Sequence, residues 1–373
     1  MHLSSLNLTF FKNFNEVDLE FSSNLNCFLG PNGTGKTNLL DAIHYLSITK
    51  SATNNVDQQN VNWQENYFSI KGEFKKGKKT HKVVCAILPG QKKSFKVDGS
   101  DYEKLSEHIG LFPIVLVAPN DTDIIREGNE ARRKYFDSVL SQIDQAYLAI
   151  LIEYNQYLKQ RNSLLKNFSE SGKVDNDLLG TYDLQLIRLG TLIFEKRLAF
   201  SKDYLPIFIQ HYEELTNGKE EVSIRYKSQY SDGEIERAYS NSVKKDIALQ
   251  RTTVGIHRDG YDFEIKGNSL KKAGSQGQQK SFLISLKLTQ FDIIKKEKGF
   301  KPILLLDDIF DKLDDHRISK LMEMVVEESF GQIFITDARP ERTNKILEDA
   351  QLEASIFSLE ENKVALKQNN SDQ

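Results

Sequence analysis

An eight-residue run limits most sharply what this chain can fold into. Gly30-Pro31-Asn32-Gly33-Thr34-Gly35-Lys36-Thr37 fits G-x-x-x-x-G-K-[ST] at every fixed position. A short strand-like run, residues 25–29, leads into it. A segment of helical spacing follows, with Leu39, Leu40, Ile43 and Leu46 at i, i+1, i+4 and i+7. Strand, glycine-rich turn and helix in that order make an anion cradle. Glycines let the backbone wrap a phosphate, so that N–H groups and the helix N-terminus point at it. Lys36 then reaches the β- and γ-phosphates of ATP, and the Thr37 hydroxyl ligates Mg²⁺. The chain must therefore hold an α/β core.

A second run complements the first. Ile303-Leu304-Leu305-Leu306 is apolar throughout and ends in Asp307-Asp308. Such a run suits the centre of a parallel sheet, whose carboxyl ends are where α/β folds bind ligands. Asp307 is read as part of the Mg²⁺ shell. Asp308 is read as the group that orients or deprotonates the attacking water, with Lys36 beside it in the chemistry. Asp307 lies 270 positions after Thr37, so a large insertion separates the two halves of one site.

The intervening pattern shows where that insertion lies. Residues 1–29 and 67–97 alternate as strands, residues 130–217 read as three helices, and strands alternate with helices again after 250. Ile150, Leu151, Tyr154, Tyr157, Leu158, Arg161 and Leu165 form one stripe of helical period, without the sustained heptads of a long coiled coil. The order is β-rich, then helical, then α/β, as expected of one nucleotide-binding head split by a helical insertion.

The 373 residues carry a net charge of −3, which argues against a histone-like coat on nucleic acid. That balance is an average. Residues 71–97 hold nine lysines against the single acid Glu73. Among them Lys75, Lys76, Lys78, Lys79, Lys92 and Lys93 are candidate contacts to DNA phosphates, which carry no sequence code. A lysine-guarded edge strand explains the same run equally well. Cys27 and Cys85 are too few for a disulfide framework, and residues 111–118, the longest apolar stretch, are far too short to span a bilayer. A soluble, cytoplasmic protein with no membrane partner is expected.

Gly274-Ser275-Gln276-Gly277-Gln278-Gln279-Lys280 opens a helix, with Ser275 placed 32 residues before Asp307. It resembles the signature of ABC-type ATPases. That resemblance implies that Ser275, Gly277 and Gln278 cap the γ-phosphate of ATP bound to a second protomer. The order of loop, signature and paired acids resembles the RecF recombination-repair family more closely still. Further stretches carry the likeness: Phe10 to Phe14, Pro119-Asn120-Asp121, Arg132-Arg133-Lys134-Tyr135-Phe136-Asp137 and Gly255-Ile256-His257-Arg258-Asp259.

The resemblance implies an ABC-type ATPase head, its lobe I built from a mixed β-sheet and a central parallel sheet, with an inserted helical lobe II. The expected boundaries are 1–128 for the first part of the head, 129–250 for the helical lobe, 251–366 for the rest of the head and 367–373 for a disordered tail. It also implies an ATP-dependent homodimer that acts at single-strand/double-strand DNA junctions with RecO and RecR, helps load RecA, and hydrolyses ATP weakly as a switch. An SMC-type DNA tether or a transporter ATPase subunit are the alternatives.

Some positions depart from the family pattern. Ile256 stands for a usual Pro and Gly260 for a usual Asp. Asp311 stands for a Ser in a loop expected to touch the partner protomer. Thr336 or Asp337 occupies the place of a switch His, which suits slow hydrolysis. His257 and Arg258 read either as support for the nucleotide or signature loop or as a hydrogen-bonded pair at a strand edge. Arg132 and Arg133 read as a solvated face, an ion pair or a DNA contact.

Overall fold

The computed structural model describes residues 1–218, 220–311, 318, 320, 323, 329–361 and 363–369. The chain forms two compact units, Met1–Asp121 with Leu286–Gln373, and Thr122–Ser285.

Two six-stranded sheets build the first unit. One is antiparallel and contains β1 (His2–Phe11), β2 (Phe14–Glu20), β4 (Phe68–Lys76), β5 (Lys79–Ile87), β6 (Ser94–Val97) and β7 (Ser100–Asp101), in the order β2-β1-β4-β5-β6-β7. Its strands alternate because one face packs inward: β4 buries Phe68, Ile70, Gly72 and Phe74 at period two. The other sheet contains β3 (Leu25–Leu29), β8 (Ile114–Val117), β12 (Ile303–Leu306), β13 (Ile333–Asp337), β14 (Ser355–Glu360) and β15 (Lys363–Asn369). Its order is β15-β14-β3-β13-β12-β8, parallel except for β15. Every residue of β3 and β12 is buried, and β12 accordingly reads as an unbroken apolar run, while β3 carries one buried polar residue, Asn26.

Helix α1 (Lys36–Ile48) packs on both sheets, and its Leu39, Leu40, Ile43 and Leu46 join them in one core with Phe28, Phe334 and Phe357. The expected tail begins too early. β15 runs on to Asn369 in a ladder with β14, where the backbone N–H and C=O groups find partners. Residues 370–373 lie outside the described residues.

The second unit is mainly helical: α2 (Asp123–Arg126), α3 (Asn129–Ile143), α4 (Gln145–Ser171), α5 (Asn176–Thr216), α6 (Ile235–Leu249) and α7 (Leu270–Ala273). A three-stranded sheet of β9 (Val222–Lys227), β10 (Gly260–Ile265) and β11 (Asn268–Ser269) completes it, in the order β11-β10-β9. Asp144 caps α4 by accepting from the Tyr147 N–H, and Asp175 caps α5 by accepting from the Leu178 N–H. The 41 residues of α5 reach about 60 Å at 1.5 Å per residue. Helix α8 (Gln276–Lys298) begins in this unit and ends in the first, where α9 (Pro340–Asp349) also lies.

Three arginines of this unit behave differently from their sequence context. Arg161 sits in the α4 stripe, yet it is a fully buried cation bound to Asp183 at 2.5 Å, Asp246 at 2.7 Å and the Thr252 hydroxyl at 2.9 Å. Arg132 is neither solvated nor available to DNA. Its guanidinium donates to the carbonyls of Ile124, Ile125 and Tyr261 and lies 4.4 Å from the Phe263 ring centre. Arg133 likewise donates to the Asp259 carbonyl. A planar five-donor head satisfies several such carbonyls at once. Among the described residues no helix is long and apolar enough to cross a membrane.

Candidate nucleotide site

The glycine-rich loop joins β3 to α1, and close contacts fix its shape. Gly35 adopts φ 103°, open to glycine, and a Cβ there would collide with the Asn13 side chain and the Phe14 ring. A Cβ on Gly30 would meet the Leu359 carbonyl oxygen. Asn13 donates to the Thr34 carbonyl at 3.2 Å and accepts from the Asn38 amide at 2.6 Å, so the β1–β2 turn buttresses the loop. Pro31, Asn32 and Gly33 are exposed, whereas Lys36 is buried. Its ammonium donates to the Gly30 and Pro31 carbonyls at 2.8 and 2.9 Å, across the mouth of the loop.

Parallel register brings the acids to this loop. β13 lies between β3 and β12, with Asp337 opposite Leu29 and Ile335 opposite Leu306. The Thr37 hydroxyl stands 3.0 Å from both carboxylate oxygens of Asp307. The Thr336 hydroxyl, fully buried, donates to Asp307 Oδ1 at 2.8 Å and accepts from the Asp308 N–H at 2.9 Å. Asp308 itself turns at φ 46°. Burial raises the Asp307 carboxyl above the usual carboxylate range and Asp308 adds to the rise, while the two threonine hydroxyls and Lys36 oppose it.

The two candidates for the switch position part here. Thr336 is the one lodged against the acid pair. Asp337 turns away to accept from Arg342 and from the Thr343 hydroxyl at 2.7 Å, holding the start of α9. Threonine has no proton to exchange near neutral pH, so it can orient the acids but cannot take the acid–base role of a histidine. Nothing in the primary sequence shows that Thr336 bridges the two acids. Only the strand register does.

The residues present fit ATP with Mg²⁺. A hydroxyl and a carboxylate already lie side by side, both hard oxygen donors. Among the described residues no group of three or more His, Cys, Asp or Glu side chains could hold a metal unaided. That is the donor set of an ion which takes its remaining ligands from phosphates and water.

The signature run forms its own start of helix. The Ser275 N–H donates to the Gln278 amide oxygen at 2.7 Å, and the Gln278 N–H donates to Ser275 Oγ at 3.3 Å, a reciprocal capping box. Ser275 is exposed and Gly277 half-buried, and the Gln278 amide group also donates to Glu220. His257 is held on both ring nitrogens, by the Tyr154 hydroxyl at 2.9 Å and the Thr252 carbonyl at 3.0 Å, and burial pulls it down to about 4. It is a packed, hydrogen-bonded histidine, and Arg258 is exposed beside it. Asp121 accepts from the Ala118 N–H at 2.6 Å and pairs with Lys287 at 2.8 Å. In the expected partner-contact loop, 310–314, the Asp311 side chain and residues 312–314 lie outside the described residues.

The lysine run divides. Lys75, Lys78, Lys79 and Lys92 are exposed, while Lys76 is half-buried with its ammonium 4.1 Å from the Phe300 ring centre. Lys93 is not an open phosphate contact. It donates to the Thr49 carbonyl and to Asp57, each at 2.8 Å, and packs over Tyr45.

Comparison with known proteins agrees with this geometry. The RecF/RecN/SMC N terminal domain model matches residues 2–363. A protein of Flavobacterium johnsoniae named DNA replication and repair protein RecF is 47% identical over 96% of this chain and 100% of its own length. The protein of that name from Cytophaga hutchinsonii is 43% identical over 98% of this chain and 96% of its own. A solved structure of the recombination mediator protein RecF with ATP, in the RecFOR pathway, superposes with a TM-score of 0.89 at 30% identity, covering 98% of each chain. A Smc head domain from Pyrococcus furiosus is covered as fully, 98% of this chain and 96% of its own, but superposes with a TM-score of only 0.55 at 17% identity. With its loop, acid pair and signature run in the family's order, the chain belongs to the RecF family of DNA replication and repair proteins.

Proposed function

We propose that this chain is a cytoplasmic, ATP-driven DNA-binding dimer that acts at single-strand gaps and junctions, with RecO and RecR, to help load RecA. One observation carries the ATP part: the Thr37 hydroxyl meets both oxygens of Asp307, 270 residues away, at the mouth of a glycine-rich loop. Residues 30–37 wrap the triphosphate, and Lys36 moves its ammonium from the Gly30 and Pro31 carbonyls to the β- and γ-phosphates. Thr37 and Asp307 hold Mg²⁺, which with the loop neutralises phosphate charge when bound. Asp308 positions water for hydrolysis. Thr336 keeps both acids aligned, and its lack of acid–base chemistry fits a slow switch.

Ser275, Gly277 and Gln278 cap the γ-phosphate on the partner protomer. Ser275 Oγ accepts from Gln278, so its own proton is left to donate. ATP then acts by binding the dimer better than the monomer, and hydrolysis releases it. The solved relative with ATP in the RecFOR pathway supports this reading. Sedimentation of wild type and Lys36→Ala with ATP, ADP or no nucleotide tests it. Dimerisation is expected with ATP in wild type alone. A Lys36→Ala protein that still dimerises with ATP sinks the mechanism, and gapped-DNA binding equal in all nucleotide states sinks the switch.

A further inference from the structure

The lysine run at 75–79 has a counterpart that composition alone does not expose. Residues 295–301 read Lys-Lys-Glu-Lys-Gly-Phe-Lys, four lysines against one acid, at the C-terminal end of α8. Their lysines suit the negative end of a helix dipole, but that does not account for their neighbours. The Lys76 ammonium lies over the Phe300 ring, so two basic segments more than 200 residues apart share one surface. Lys75, Lys78, Lys79, Lys295 and Lys296 are exposed there. His2 pairs across the ladder with Lys75, and His2 and Lys301 share the wall of one cavity of about 490 Å³.

Strand direction places this surface relative to the nucleotide loop, within the same unit. β1 starts at His2 beside Lys75 and ends at Phe11, next to the turn that touches Thr34. Its 10 residues extend about 30 Å at 3.3 Å each. β12 runs the same way, from just after Lys301 to Asp307. The basic surface thus lies at the opposite end of the unit from the triphosphate site.

We infer that Lys75, Lys76, Lys78 and Lys79 together with Lys295 and Lys296 form one binding site for the phosphate backbone of DNA, remote from the nucleotide loop and independent of ATP. The inference rests on the DNA-binding part of the proposed function and adds where a nucleotide-independent contact sits. Lysine point charges with no fixed fork suit sequence-blind phosphate contact. Protein interfaces are depleted in lysine and built round an apolar core. Phe300 is half-buried here and covered by Lys76.

The test is fluorescence anisotropy of a labelled 30-base-pair duplex without nucleotide, from 50 to 200 mM salt, using wild type, K78Q/K79Q and K295Q/K296Q. All four side chains are exposed, and circular dichroism checks folding. If each pair contacts phosphates, each double variant lowers the log–log salt slope by about 2, so affinity lost over that salt range shrinks about tenfold. An unchanged slope in K295Q/K296Q overturns the inference, because the two segments then do not form one site. Wild type that binds only with ATP also overturns it and leaves the proposed function standing. DNA binding absent in every nucleotide state removes both. Competition by polyglutamate with no slope change in either variant overturns it in favour of an acidic protein partner.

Discussion

Replacing Thr336 by valine removes one hydroxyl and keeps the side-chain shape, so it isolates the bridge between the acids. The hydroxyl is fully buried and makes two hydrogen bonds, at 2.8 Å to Asp307 and 2.9 Å from the Asp308 N–H. Depriving a buried N–H of its acceptor costs about 1–3 kcal/mol, and a hydrogen bond to a charged group contributes about 1.5–3 kcal/mol. Both pass through one atom and are not independent, so a loss of about 3 kcal/mol is expected. The loss should depend on pH. The Asp307 carboxyl already stands above its ordinary value because of burial, and Thr336 is the first of the groups that oppose the rise. Without that hydroxyl it rises further. An acid raised in the folded state favours folding while protonated, below its unfolded value of 3.8, and that contribution is lost as pH climbs through the folded value. The deficit of Thr336→Val should therefore be smallest near pH 4 and grow toward pH 7. Urea unfolding across that range measures it, with hydrogen exchange at the Asp308 amide as the local readout. A deficit below about 0.5 kcal/mol, or one that does not change with pH, refutes the bridging role.

Arg161→Met leaves Asp246 and Asp183 facing each other without their shared cation, and removing one partner of a buried pair costs about 3–5 kcal/mol. Chemical denaturation should show it, and adding Asp246→Asn should restore part of the loss. Lys93→Ala breaks the pairing with Asp57 and the contact over Tyr45. It should lower stability by about 1–2 kcal/mol while leaving the salt slope of DNA binding as in wild type. A flattened slope would return Lys93 to the DNA surface.

What could be read in advance follows a physical pattern. The loop at 30–37 and the strand ending in Asp307-Asp308 were legible because each packs its chemistry into consecutive residues between recognisable elements. Helix α4 was legible through its period. Arg161 was not: spacing says which face a residue occupies and is silent on the acids that a cation on that face meets. Arg132, Arg133 and Lys93 look like surface cations until the carbonyls and the Asp57 carboxylate they satisfy come into view. Lys295 to Lys301 form an ordinary basic helix end in the sequence. Only the fold sets it beside the 75–79 hairpin. The role of Thr336 depends on one residue of parallel register.

The order of the parallel sheet also has a consequence in time. β3, which leads into the nucleotide loop, is flanked by β13 and β14, and both are made about 300 residues later. At about 5–20 residues per second of synthesis, β3 waits roughly 15 to 60 s for its first neighbour. All five of its residues, four of them apolar, are buried in the finished sheet, so during that interval a strand made for the interior has both edges open to pairing with other chains. The helical unit, whose Arg197 needs Asp137 and Asp259, can consolidate earlier. The segment that carries the nucleotide chemistry is among the first made and among the last to be secured.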